Sequence, residues 1–532
     1  MSDLRIETAE IADATVRELS GRRAINSAIW FCMALFWVAY GLCVAGFLAV
    51  SSVGDPRTLY HAIAGGAVNV ETNASQVSGI AIFAVVVVAL AGLAIRKWSL
   101  VKSRSVWPWW YAASGLLVAI PLGLVFSLAT PIAYVRDYAA YLRLAQSLYS
   151  TGDYSDISEG NFTGVADTLA WRPPGMALLY GLPIHLGIPP QLSVWLVNSV
   201  IALTIFFFVK RSLRGGQEKG PATLVAFAGL IVCLTTLPFF LLPIAHPPAV
   251  AILVLLLLLV PTQGRLLAHL DLFRWLLAGF LIGASALFRP NLVLLVGVLA
   301  AAVLLAQAQF CGHRFIRKSA AAVLLCLLGA AIAIGPWTAR NWVTFHRFVP
   351  ISTNGGMVFY SANGSPKASE QGKYVQALAI QLFKDVPNEV DRDHEGLKRG
   401  LANIAAHPAA FVESFAYRVP RLLTNPLFPI GYIRDQAPGA PATPMLPLLE
   451  AATIIAFWCL WGLMFVHWRA IRARILDTDR IAWPHVSLLV TFFISLLFEN
   501  SATFQQSFLP FLLFIWFDAR KLALPMGVVL KR

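Results

Sequence analysis

Charge is scarce in this 532-residue chain. Asp, Glu, Lys and Arg together make up 13% of it, against 58% hydrophobic residues. A mean hydropathy of +0.69 goes with that balance and places the chain among polytopic membrane proteins instead of soluble enzymes. Paired cysteines are missing too. Cys32, Cys43, Cys233, Cys311, Cys326 and Cys459 show no CxxC spacing, so they read as small apolar residues and not as disulfides or metal ligands. There is no HExxH, no Cys/His cluster and no Gly-rich phosphate loop, which leaves zinc chemistry and a nucleotide-sugar donor without a motif. A fixed-period repeat and low-complexity tracts are absent as well.

What the chain does have is recurring apolar runs, those of about 17 to 25 residues long enough to cross a bilayer core. Spans are predicted near 25–52, 77–97, 107–130, 190–210, 221–240, 244–261, 274–288, 290–310, 318–337, 444–467, 483–498 and 507–517. The fold class expected is an all-α polytopic membrane protein of about twelve helices. The first run is too long for a signal-peptide core and follows an arm containing acids, so it is expected to be retained.

The formal charge of +14 invites a nucleic-acid partner, but its placement argues for topology. With the N-terminus inside, the cytoplasmic segments hold 25 of the 41 Lys and Arg residues, as the positive-inside rule requires of short loops. "WPWW" at 107–110 fits an aromatic belt at the inner face. Four regions follow: an arm with two helices (1–106), a membrane core (107–337) holding a first long loop (131–189), a second long loop (338–443) and C-terminal helices with a tail (444–532).

Both long loops fall on the outer side, where together they could roof one cavity. In the first, apolar residues from Tyr138 to Tyr149 recur at helical spacing and predict an interfacial helix with Asp137 at its start. A carboxylate there is favoured by the helix dipole, and the bland reading is that Asp137 only caps the helix. "WRPPGMALLYGLPIHLG" (171–187) is too short to span and reads as a half-embedded hairpin or interfacial helix. An anion at its start would depend on Arg172 and the amides of Gly175 and Met176, unless Arg172 simply snorkels. In the second loop, "PWTARNWVTFHRFVPISTNGGMVFYSANGS" (336–365) is rich in Asn, Gly and aromatics, a composition shared by polyhydroxy-ligand sites and ordinary turns. Residues 390–423 predict one or two surface helices broken at Pro408, with their charges in solvent.

Several of these segments together resemble the integral-membrane GT-C glycosyltransferases, and among them the bacterial group related to protein O-mannosyltransferases and lipid A aminoarabinose transferases. The matching stretches are Asp137 to Tyr154, Arg172-Pro173-Pro174, "LFRPN" at 287–291, Pro336 to Gly356 and His407 to Phe411. The resemblance runs over roughly 110 to 517. It departs by two additional early spans, an even number that preserves topology, and by Gln506-Ser507, where relatives often carry Arg-Tyr.

The resemblance implies transfer of a sugar from a polyprenyl-phosphate carrier to an acceptor hydroxyl at the outer face of a bacterial inner membrane, with inversion. It makes Asp137 the general base, Arg172 the first candidate for the donor phosphate, and Arg289 and Arg340 the next. Tyr141, Asn354 and Asn363 are candidate substrate contacts. No metal or other cofactor is expected. The partners are the lipid-linked donor, membrane lipid and an acceptor that is a glycan, lipid or protein. Asp153, Asp156, Glu159 and Glu499 offer no convincing metal site. Two rivals stand: a transporter or flippase, which predicts an internal duplication and mid-membrane charges, and a surface-polysaccharide polymerase or ligase, which would rely on arginines.

Overall fold

The computed structural model describes residues 136–155, 169–214, 246–260, 272–310, 316–372, 375–424, 483–498 and Phe511. Among the described residues the chain is mostly helical, with no strand. In chain order the helices are α1 (Arg136–Thr151), α2 (Gly175–His185), α3 (Pro190–Arg214), α4 (His246–Leu259), α5 (Leu272–Ala286), a 3-10 turn (Pro290–Leu294), α6 (Leu295–Phe310) and α7 (Ile316–Phe345). Then follow α8 (Gly355–Asn363), α9 (Gln376–Asp385), α10 (Glu389–Ala406), α11 (Pro408–Thr424) and α12 (Trp483–Leu497).

Helices stand where six of the predicted spans fall, in α3, α4, α5, α6, α7 and α12. The spans predicted at 25–52, 77–97, 107–130, 221–240 and 444–467 lie outside the described residues, as does 507–517 apart from Phe511. One helical stretch, Arg317–Phe345, is long and apolar enough to cross a membrane by length and composition. The apolar stretches of α4, α5, α6 and α12 are 10–17 residues long, short of the roughly 20 that a bilayer core asks of a straight helix.

α7 is the longest element, 30 residues and about 45 Å. Its charges sit at its ends, Arg317 and Lys318 at one and Arg340 at the other, and Leu324, Leu327, Leu328 and Ile332 project from its flank largely exposed. On the opposite flank it meets α5 closely enough that a Cβ on Gly279 would lie 1.9 Å from the Cys326 carbonyl oxygen, and one on Gly329 2.0 Å from that of Leu276. Small residues that let two backbones meet are the contact apolar helices use where burial from water gives little drive.

The helices of the second long loop pack by the same device. A Cβ on Gly356 of α8 would lie 1.7 Å from the Asp393 carbonyl oxygen of α10, and Gly396 faces the Gly356 carbonyl in return. α8 has no side-chain cap from Asn354, its N-cap residue. Asp393 supplies one from α10, accepting the Gly356 N–H at 2.6 Å. α10 is capped by Asn388, whose side chain accepts the N–H groups of Val390 and Asp391. It ends at His407, and α11 begins at Pro408, where the break was predicted. Arg399 pairs with Asp385 and Glu395 on the partly exposed face, as a solvated charge run would. Three charges of that run do otherwise, Arg392 and Asp393 turning inward against neighbouring segments and Arg418 being fully buried, and Glu389 just before the run turns inward with them.

Candidate functional site: an arginine pinned between two loops

The two long loops meet, and they meet through a dipeptide. All four backbone groups of Leu169 and Ala170 are bonded to residues between 340 and 389. Glu389 accepts the Leu169 N–H at 3.2 Å and the Ala170 N–H at 2.9 Å. Arg340 Nη1 donates to the Leu169 carbonyl at 2.8 Å, and the Thr353 N–H donates to the Ala170 carbonyl at 3.0 Å. Burial holds the Glu389 carboxyl above the usual carboxylate range, against the pull of its two backbone donors and of Arg392 and Arg340. Desolvation also raises Asp393, which the Gly356 N–H and His394 partly offset.

The next residues are pinned in turn. The Trp171 ring meets Phe383 of α9 edge-on, with centroids 5.1 Å apart. The buried Tyr154 hydroxyl reaches the carbonyls of Arg172 and Pro173 at 3.1 Å each. Beneath it Trp337 packs against the Tyr154 ring at 4.7 Å and donates its indole N–H to the Ile351 carbonyl. At the far end the Gly175 N–H donates to the Leu287 carbonyl of the α5 exit at 2.9 Å, and a Cβ on Gly175 would strike that same carbonyl. The backbone carrying Arg172 is thereby fixed from both sides.

Arg172 lies over the ring of Tyr141 at 5.0 Å and that of Trp171 at 5.4 Å. Tyr141 stands on α1, one helical turn after Asp137. The helix starts at Arg136, so Asp137 falls in its first turn and not before it. The Asp137 side chain lies outside what the structure describes, and the contact seen is that of Arg172 with Tyr141, one turn further along α1. Arg289 follows Leu287 by two residues and Arg172 precedes Gly175 by three, so both arginines flank the same interhelical hydrogen bond. Its extended backbone turns directly into the 3-10 segment at Pro290.

Other expectations are corrected. Pro174 is the N-cap residue of α2, and the Gly175 amide is spent on Leu287 instead of standing ready for an anion. Arg340 is committed to structure: its guanidinium bonds the carbonyls of Leu169 and Tyr154 and the side chain of Asn341, and lies over the Trp337 ring at 5.0 Å. Asn363 is fully buried, with its amide donating to Phe359 and Leu497 and its oxygen accepting from Arg418 at 2.6 Å, so it presents nothing to a substrate. Asn354 is half-buried and accepts from the Ser352 hydroxyl at 3.1 Å. Asp153 is exposed, while Asp156, Glu159, Glu499, Gln506 and Ser507 lie outside the described residues.

Two residues that matter gave little sign in the sequence. Glu389 follows an Asn that reads as an ordinary helix cap, and an acid in a first turn needs no further explanation. Arg418 is fully buried on α11 and binds Ser414, Asn363, Gln371 and the Leu496 carbonyl, yet by spacing it looks like any basic residue of a loop helix.

Comparison with protein-family models, with curated proteins and with solved structures finds no match.

Proposed function

We propose that this chain is a polytopic membrane glycosyltransferase of the GT-C type, acting at the extracytoplasmic face of a bacterial inner membrane. Its donor is a sugar carried on a polyprenyl phosphate, and its acceptor is a hydroxyl. The observation that carries the reading is Arg172 over Tyr141, one helical turn after Asp137, on a segment that both outer loops hold in place.

In the reaction, Asp137 takes the proton of the acceptor hydroxyl as that oxygen forms a bond to the anomeric carbon. The bond from that carbon to the phosphate oxygen breaks on the opposite side, giving inversion. The leaving group is a lipid phosphate, whose developing charge needs a cation already in position. Arg172 supplies it, since a guanidinium meets phosphate oxygens as a fork and its ring contacts limit its freedom. Arg289 is the second cation. The exposed Leu178 and Leu182 of α2 and Leu186 at its C-cap suit contact with lipid beside this site.

The deciding experiment is mass spectrometry of the polyprenyl-phosphate pool in cells expressing the native chain or Asp137→Asn. Accumulation of a glycosylated monophosphate carrier in the mutant alone supports transfer and gives the sugar mass. Identical pools, with the mutant folded and inserted, would leave Asp137 as a helix-terminal acid and favour a transporter.

A further inference from the structure

Glu389 touches nothing that reacts, yet it is the residue on which the placement of Arg172 turns. Its carboxylate takes both N–H groups of the dipeptide that ends two residues before Arg172, while Arg340 takes the carbonyl between them. An amide in place of the carboxylate could accept only one of those N–H groups and would set its own donors against the other. It would also remove the negative charge from between two guanidinium groups, Arg340 and Arg392. Among the described residues, Glu389 is the acceptor for both of those donors.

We infer that Glu389 is a positioning residue for the phosphate site: by clamping Leu169 and Ala170 it sets where the Arg172 guanidinium stands over Tyr141, and so tunes affinity for a lipid phosphate. This rests on the assignment of Arg172 to the donor phosphate. Arg340 belongs to the same clamp and acts on the phosphate only through it. The clamp joins residues from loops about 220 positions apart, so the second loop's role at the site is to hold the first loop's arginine.

The test uses the full chain in lipid nanodiscs and undecaprenyl monophosphate as the probe. Binding is measured for the native chain, Glu389→Gln, Arg172→Ala and the double variant, with hydrogen exchange of residues 169–172 read alongside. Glu389→Gln should speed exchange in that segment and raise Kd by about tenfold, the scale on which small misplacements of a binding group are felt. In the Arg172→Ala background the same substitution should change Kd little, because a residue acting through another loses its effect when that other is gone. Arg347→Gln, which breaks the exposed ion pair between the α7 end and Asp391, should leave Kd unchanged. Glu389→Asp, which retracts the carboxylate by one methylene, should lie between native and Gln and serves if Glu389→Gln does not fold.

Faster exchange with an unchanged Kd, or additive effects in the double variant, would overturn the positioning role while leaving Arg172 as the phosphate ligand. A native chain that binds no better than Arg172→Ala would overturn both, by removing the phosphate assignment itself.

Discussion

The Glu389 carboxylate accepts the Ala170 N–H at 2.9 Å across 219 positions of sequence. Burial raises the acid's pKa, and the sign of the consequence is fixed. The folded state holds its proton to higher pH than the unfolded chain, so it binds more protons between the ordinary carboxylate value and the raised one. Stability must therefore fall as pH rises through that window and level off above it. Asp393, raised by the same cause, adds to the slope. Unfolding of the purified chain against pH should show this decline from mildly acidic conditions upward, and Glu389→Gln should flatten part of it.

Asp137→Asn should lower transfer by about 10² to 10⁴-fold, the range a positioned base supplies. Stability should change by well under the cost of a core substitution, because the site is at a helix start. Transfer rate and thermal midpoint measured on the same preparations separate the two effects.

Tyr141→Phe should leave donor affinity near native, since the ring under Arg172 remains. Tyr141→Ala removes that ring, and a contact worth about 0.5–1 kcal/mol when exposed should weaken binding by about two- to fivefold. Arg172→Lys keeps the charge but loses the fork, and its Kd should rise further, by about tenfold. Equal effects of Phe and Ala would show that the hydroxyl matters and the ring does not.

Asn363→Ala should cost about 2 kcal/mol of stability, because it takes from the buried Arg418 its 2.6 Å acceptor. Donor affinity should stay near native, in keeping with a residue closed off from any substrate. A loss of affinity without loss of stability would return Asn363 to the site.

Gly356→Ala places a Cβ 1.7 Å from the Asp393 carbonyl, so α8 and α10 must separate. A destabilisation of about 1–3 kcal/mol is expected, as for other overpacked contacts. Thermal unfolding in detergent reads it directly. Gly297→Ala, where nothing lies within 4 Å, is the matched control.

Periodicity was enough to place α1, whose apolar residues repeat at helical spacing, and the break at Pro408, whose ring cannot continue a helix. It was enough because both are consequences of neighbours within a turn or two. The close meeting of α5 and α7 was not among the expectations, although the Gly279–Gly283 pair of "GFLIG" has a spacing that goes with tight packing of apolar helices. Asn363 misled because an amide in an Asn- and Gly-rich loop has the same local signature whether it meets a sugar or a buried guanidinium.

By itself the sequence determined that the chain is apolar and helical, that its charges gather at the ends of its runs, and that two long segments interrupt those runs. Composition and short-range spacing carry those properties. Only the tertiary structure decided that Arg172 stands over Tyr141, that Arg340 is a tether and that Glu389 closes on Leu169 and Ala170. Each of those contacts joins backbone or side-chain groups far apart in the chain, and a hydrogen bond to a distant main-chain amide leaves no mark on the residues that donate it.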